Sequence, residues 1–430
     1  MKAVAALLCV SLERGMTLTT REVAEDGVSV NASPDESEEH DPEDIEVLQW
    51  MGTDGMAIVE KEIAAGHAAL SSSLQAMGEL FGARKSGVKP MPVSTICETI
   101  GVDTHACGRV EEYLGRLANV TDRVSVKVPK FARSVPCDVL FATSLSDLCK
   151  LPASVPAQVY RADICKAFAS APQAIGEGHA LFKFGDRRDA SACYPTFYKT
   201  RLLKKRDDNY VLLDLNHGRH WGPMKKVADA DIPWASKNAT LVWRGVSTGK
   251  CDTGAKNSRM MLCKKWYNST DSRIDVGMTD VVQNCHLARR YKKHGMSMKS
   301  LLTSKYHLLV NGNDKPSGLN WVLLSNSVPF MVEPDIESWL LEASLKPWEH
   351  YIPIKPDFSD LSTKVDWAVQ NDAEAERISK AGQEYVQQFG TTAEEMAVQA
   401  AVLAAYIDRM DIADGGVSVK LEGTCQLDGQ

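Results

Sequence analysis

Long apolar runs are missing from this 430-residue chain. None approaches the roughly 18–20 residues that a helix needs to cross a bilayer, so no spanning helix is expected beyond a short N-terminal signal or anchor. Positive charge is in deficit as well. Lys and Arg number 49 against 56 Asp and Glu, a net charge of −7, which argues against nucleic-acid partners that depend on bulk positive charge. No C-x-x-C pair occurs among the eleven cysteines, which makes zinc ribbons and thioredoxin-type chemistry poor candidates. There is no G-x-G-x-x-G and no H-E-x-x-H, so the commonest dinucleotide and zincin readings fall away. Gly245-Val-Ser-Thr-Gly-Lys250 comes near a phosphate loop, but it has three residues between the glycines where four are needed, and Cys251 where Ser or Thr should stand.

The chain is long enough for two domains, with the 44% hydrophobic and 24% charged content of a globular protein. Its most informative stretch is Lys305–Asp360. Apolar runs at Tyr306–Val310, Val328–Val332 and Tyr351–Ile354 alternate with two segments of helical pattern, Gly318–Leu324 and Ile336–Leu345. That alternation predicts a βαβαβ unit and a parallel sheet. The loop Asn311–Ser317, rich in Gly, Asn, Asp and Pro, opens the first of these helices at a strand's carboxyl end. Ligands bind at that end in open α/β sheets, and the N–H groups of a helix start favour an anion such as a diphosphate.

Lys2 followed by the apolar Ala3–Val10 reads as a short secretory signal or anchor. Sequons at Asn31, Asn119, Asn238 and Asn268 agree weakly with that compartment. Cysteines in Cys97–Cys193 are expected to pair there, with a connectivity the spacing does not give. Residues 22–47 carry an acidic run, Asp35 to Glu46, and read as a disordered tether. Helical patterns follow at Ile45–Phe81 and Val110–Leu117, and strand-like pieces at Val139–Ala142, Ala180–Phe184 and Tyr210–Leu215. Asp231–Lys237 reads as a domain junction, and Leu241-Val-Trp243 as the start of a second α/β unit. Helix is expected from Asp360 onward, with a last helix opened by a capping box at Thr392-Ala-Glu-Glu395.

Several side chains have the chemistry of a site. Arg244 ends the apolar run Leu241–Trp243 and precedes a Gly/Ser/Thr turn. An arginine so placed can fork onto phosphate oxygens while the turn's N–H groups assist, although a surface salt bridge is the commoner fate. Arg259 lies in the following helix. Asp186 ends the run Phe182-Lys-Phe-Gly, placed either as a general base in a cleft or as a solvated turn residue. Asp229-Ala-Asp231 has the spacing of a metal–nucleotide motif, but its polar setting favours two solvated acids. His217-Gly-Arg-His220 offers two imidazoles with no completing ligand set.

In order, Gly185-Asp186, Lys199-Thr-Arg201, Leu215-Asn-His-Gly-Arg-His220, Lys237…Leu241-Val-Trp-Arg-Gly245, Lys305-Tyr306, Gly312-Asn-Asp314, Leu319-Asn-Trp321, Ser325-Asn-Ser-Val328, Pro347-Trp-Glu-His-Tyr351 and Asp360-Leu361 form a series over residues 180–390. This series resembles the family 90 glycosyltransferases, which include Rumi-type protein O-glucosyltransferases, fungal capsule-synthesis xylosyltransferases and bacterial lipopolysaccharide-type relatives. Residues 1–130 carry no resemblance.

The resemblance implies an α/β chain of GT-B type: two Rossmann-like domains facing a cleft, with a C-terminal helix crossing back. Together with the acidic run and the junction at Asp231–Lys237, it divides the chain into a signal or anchor with its tether (1–47), an acceptor-side domain (48–235), a nucleotide-sugar-binding domain (236–390), a crossing helix (391–414) and a tail (415–430). It implies an inverting enzyme of the secretory pathway that uses a UDP-sugar, with glucose or xylose transferred to a glycan or glycoprotein and no metal or other cofactor.

Asp186, or Asp189 in its place, is then the base. Arg244, Gly245, Ser247, Thr248, Arg259, Asn313, Asp314, Ser317 and Asn320 hold the donor, Glu342 its ribose, and Arg201, His220, His350 and Tyr351 shape the cleft. One departure stands out. Where Rumi-type members carry an arginine gripping the diphosphate, this chain reads Pro316-Ser-Gly-Leu-Asn-Trp321. The bacterial-type relatives have Lys before that Trp, and here the residue is Asn320. The chain is closest to that branch, and a degenerate glycan-binding paralogue or a transferase with a small-molecule acceptor remain alternatives.

Overall fold

The computed structural model describes residues 88–126, 141–144, 149, 158–170, 179–186, 194–205, 209–389 and 392–412. The expected signal or anchor, acidic tether, Ile45–Phe81 helix, Asp189 and tail lie outside them.

The N-terminal part opens with helices α1 (Val93–Ile100) and α2 (Thr104–Leu114). Gly101, at φ 83°, ends α1, and Asp103 caps α2 by accepting from the N–H groups of His105 and Ala106. A Cys97–Cys107 disulfide clamps the pair. Strands β1 (Val124–Val126) and β2 (Phe141–Ser144) and helix α3 (Gln158–Ser170) follow. Then come β3 (His179–Phe182), β4 (Thr196–Tyr198), β5 (Thr200–Leu202) and β6 (Tyr210–Leu212). A mixed sheet takes the order β2-β3-β4-β6, with only the β2–β3 pair antiparallel. A second disulfide, Cys149–Cys165, fastens α3.

Helix α4 (His217–Ala230) leads across to a second sheet. Its elements are β7 (Asn238–Gly245), α5 (Arg259–Trp266), β8 (Ile274–Met278), β9 (Ser304–Leu309), α6 (Leu319–Leu324), β10 (Val328–Met331) and β12 (Ile352–Pro353), with the separate strand β11 (Ile336–Ser338) before the last. The sheet is wholly parallel, in the order β12-β10-β9-β7-β8. Every residue of β9 and β10 is buried, as expected of parallel strands covered on both faces. In chain order this is the doubly wound sequence 2-1-3-4-5, whose direction reverses between β7 and β9. A crevice outside the carboxyl ends of these two strands is where such sheets take ligands.

The three apolar runs of Lys305–Asp360 thus become β9, β10 and β12, and Gly318–Leu324 becomes α6. The expected helix at Ile336–Leu345 does not form. Its start is β11, which pairs antiparallel with β5 of the other half, and Leu341 at φ 53° breaks the rest before a single 3-10 turn at Glu342–Ser344. The buried ion pair between Arg201 and Glu337, 2.7 Å across that strand pair, replaces helical bonding.

Helices α7 (Leu361–Gln370) and α8 (Asp372–Gln387) close the second sheet, and α9 (Thr392–Arg409) returns to the N-terminal half. It packs on α1, α2 and α3 and runs into β13 (Met410–Ile412), which pairs in parallel with β1. Glu395 of the expected capping box accepts two hydrogen bonds from Arg109 of α2, at 3.0 and 2.6 Å, and the Thr392 side chain lies outside what the structure describes. Among the described residues no helix is long and apolar enough to cross a membrane.

Candidate active site

At the β7–β9 reversal two loops cross, and glycine permits the crossing. Gly249, at φ 96°, lies so close to Gly312 that a Cβ on it would be 2.9 Å from the Gly312 carbonyl oxygen. A Cβ on Gly312 would lie 2.6 Å from Thr248 Oγ1 and 2.9 Å from Arg259 Nη2. The Gly249 N–H donates to Asn313 Oδ1 at 3.0 Å, joining the loop after β7 to the loop after β9. The loop after β7 is also fastened to the one after β8. Ser247 donates to the Val282 carbonyl (2.9 Å) and accepts its N–H (2.7 Å), and Cys251 and Cys285 form a disulfide. Gly245–Gly249 also fits the G-x-S-x-G spacing of serine hydrolases, but Ser247 is buried with its hydroxyl engaged on Val282, so it is a fastening residue and not a nucleophile.

These loops form one wall of a crevice of about 350 Å³, with Thr248, Arg259, Gly312, Asn313, Asp314, Lys315 and Ser317 on that side. Asp186, Lys199, Arg219 and His220 of the N-terminal half form the other. Arg259, the first residue of α5, donates to the Val246 carbonyl at 2.8 Å and to Thr248 Oγ1 at 2.7 Å, so its guanidinium is held rigidly at the floor. Lys199, between β4 and β5, joins the walls: its ammonium binds Asp186 and lies 2.9 Å from Asp314 Oδ2. Burial works against that charge, but Asp314 and Asp186 outweigh it and hold the Lys199 pKa above the ordinary lysine value. Lys315 is buried between Glu342 (2.8 Å) and Asn320 Oδ1 (3.2 Å).

A second crevice of about 330 Å³ adjoins along the ends of β9 and β10, lined by Asn257, Asn311, Lys315, Glu333, Asp335 and Glu342 among others. Glu342, expected at the ribose, faces it while accepting the Ser338 N–H at 2.6 Å and hydroxyl at 2.8 Å.

Behind the N-terminal wall, at the start of α4, His217 pairs with Asp214 and gives its backbone N–H to Asp163 at 3.0 Å. Burial opposes a charge on His217, but Asp214 prevails and raises its pKa. Burial pushes the Asp163 carboxyl up to about 6. His220, one turn on, is the reverse case. Burial, with Lys315, Lys199 and Arg219 nearby, holds it well below the ordinary histidine value, so the imidazole is neutral.

The expected residues divide. Asp186, Thr248, Arg259, Asn313, Asp314, Ser317 and His220 meet in the crevice, with Asn320 behind Lys315. Arg244 does not line it. Its guanidinium binds Asp275 of β8 at 2.7 Å and the His294 carbonyl at 3.1 Å, the salt bridge that was the commoner fate. Gly245 turns the chain beside Trp243, where a Cβ would lie 2.9 Å from that ring. Arg201 is fully buried against Glu337. His350 accepts the Lys346 N–H at 2.9 Å and packs on Tyr385, while Tyr351 is buried in the core. Asp231 is not a solvated acid: it holds Lys237 and accepts the Asn326 N–H at 2.6 Å. Among the described residues no group of three or more His, Cys, Asp or Glu is placed to hold a metal ion. Lys199, Arg219 and Lys315 carry the crevice's other cations and were given no role from sequence, although Lys315 adjoins Asp314 in the very loop that marked the site.

Residues 212–410 match the sequence profile of glycosyl transferase family 90. The O-glucosyltransferase LpsA of Dichelobacter nodosus is 29% identical over 217 residues, 50% of this chain and 63% of that protein. The uncharacterized protein 027R of Frog virus 3 is 28% identical over 181 residues, 36% of this chain and 18% of the viral protein. Protein O-glucosyltransferase 3 of Rattus norvegicus is 42% identical over 80 residues, 18% of this chain and 15% of that protein. The chain spans less than two thirds of the length of each of these relatives.

Proposed function

Through residues 212–410 the chain belongs to glycosyl transferase family 90, and from that premise we propose that it transfers glucose or xylose from a UDP-sugar to a hydroxyl of a glycan or glycoprotein, with inversion and without a metal. The observation that carries this reading is the crevice itself. A cationic, glycine-built wall at the sheet's reversal point faces the Asp186 carboxylate across the crevice. In this reading the two domains form a GT-B cleft, with donor on the C-terminal side and acceptor on the other.

The diphosphate lies against Arg259, Thr248 and the loop at Gly312–Ser317, where Arg259 is already aimed and needs no reorganisation. Its uridine end extends toward the adjoining crevice and Glu342. Asp186 takes the proton of the acceptor hydroxyl as that oxygen bonds to the anomeric carbon. The bond from that carbon to the β-phosphate oxygen breaks, and UDP leaves with its new negative charge facing Arg259 and Lys315. Lys199 holds Asp186 in place. The cations on the donor wall supply the positive charge that a metal supplies elsewhere.

Three disulfides among the described residues, and exposed asparagines at the sequons Asn119, Asn238 and Asn268, support maturation in the oxidising lumen of the secretory pathway. The missing arginine in Pro316–Trp321 favours one second reading, a degenerate paralogue that binds glycans without turnover.

UDP release from a panel of UDP-sugars by the purified chain, with EDTA and with or without a glycan acceptor pool, tests the proposal. Release from one donor that survives EDTA and rises with acceptor is expected. No release from any donor, together with no UDP binding by calorimetry, would overturn it.

A further inference from the structure

On the base-bearing wall of the crevice one side chain has unmet bonding capacity. His220 of α4 is 2% exposed and lines the space beside Asp186 and Lys199, yet among the described residues neither of its ring nitrogens has a hydrogen-bond partner. Buried polar groups are nearly always paired, so two open positions on one ring call for a ligand that fills them. Its neighbours limit what that ligand offers. Burial does most to keep the ring uncharged, and Lys315, Lys199 and Arg219 nearby add to it, so the imidazole is neutral. A neutral imidazole presents one donor and one acceptor. A phosphate oxygen can only accept, and it has Arg259 on the opposite wall. A sugar hydroxyl both donates and accepts, which matches the ring at either nitrogen.

We propose that His220 reads a ring hydroxyl of the transferred sugar and so helps to set which UDP-sugar the crevice accepts. The inference rests on the donor-site reading above. It deepens that reading by giving the N-terminal wall a part in donor choice as well as in acceptor activation.

Calorimetry of UDP, of the preferred UDP-sugar and of its singly deoxygenated analogues tests it on wild type, His220→Asn and His220→Ala. UDP affinity should stay within about twofold in the variants, while the parent donor weakens by about tenfold or more relative to UDP. One deoxygenated donor should show the same loss on wild type and no further loss on the variants. If UDP and donor weaken together, His220 serves the nucleotide or the fold, and the proposal fails; it fails equally if neither changes. Should neither variant give a cooperative unfolding transition, the deoxygenated donors on wild type decide: no analogue weakened tenfold would overturn the assignment. A wild-type chain that binds no UDP would overturn the donor-site reading itself, a different outcome from any of these.

Discussion

The two walls of the crevice are held by different forces. On the C-terminal side the positions are fixed by backbone: two glycines in contact, the Gly249 N–H on Asn313, and Ser247 on Val282. On the N-terminal side they are fixed by charge: Lys199 between Asp186 and Asp314, His217 on Asp214, Arg201 on Glu337, Arg109 on Glu395. Backbone contacts are indifferent to pH and to the loss of one carboxylate, whereas buried ion pairs depend on both partners being present. The wall assigned to the diphosphate thus leans on charge mainly at one buried pair, Lys315 with Glu342, whereas the wall assigned to proton transfer depends on charge throughout.

That contrast can be broken at several points. The largest effect is expected from Asp186→Asn, which should lower turnover by about 10²–10⁴-fold while UDP affinity, a property of the other wall, stays within about threefold. Glycosyl transfer and calorimetry on the same preparation check both, and unchanged turnover would remove Asp186 from the mechanism. Glu337→Ala should destabilise the fold by about 3–5 kcal/mol in urea unfolding, because it leaves the Arg201 guanidinium buried and unpaired. A loss under about 1 kcal/mol would show that the pair does not hold the β5–β11 junction.

Arg259→Met should weaken UDP by about ten- to a hundredfold, the worth of charged hydrogen bonds near 1.5–3 kcal/mol. Asp163 gives a pH signature. Its folded pKa is raised to about 6 by burial, so the native state holds that proton more tightly than the unfolded chain. The associated stability is present below the ordinary carboxylate range and is lost as pH rises through about 6. Thermal unfolding of Asp163→Asn should therefore fall less between pH 4 and pH 7 than that of wild type; equal slopes would count against the assignment. The smallest effect is expected at Arg244→Ala, whose half-exposed partner Asp275 implies about 0–1 kcal/mol of stability, with UDP affinity within twofold. A tenfold loss of UDP affinity would instead put Arg244 at the diphosphate.

The same contrast explains what could be seen in the sequence. Tyr306–Val310 and Val328–Val332 are buried runs bounded by turn residues, and the loop Asn311–Ser317 between them announces both the reversal point and its crevice. Which arginine turns inward was not legible, since Arg244 at the end of β7 and Arg259 beyond it have equal chemistry and the pairing with Asp275 separates them. Ile336, Leu340 and Leu341 have helical spacing, but Glu337 belongs to a partner more than a hundred positions away, Arg201. Glu395 followed a capping pattern and answered to Arg109 for the same reason. The N-terminal strands, three or four residues each, fall below the length at which periodicity says anything. The bonds that matter there are long-range charge pairs and disulfides, which no local window contains.

The return of α9 has a consequence in time. Its buried face completes the core around α1, α2 and α3, and β13 supplies the only described partner of β1. The half of the molecule made first on the ribosome therefore lacks a wall of its own interior until residue 412 has emerged, although the second sheet can close earlier from contiguous chain. Contacts of such sequence separation are slow to form. During synthesis the N-terminal segment must wait with apolar surface uncovered, and premature arrest of translation before α9 should yield a chain that engages chaperones instead of a partial enzyme.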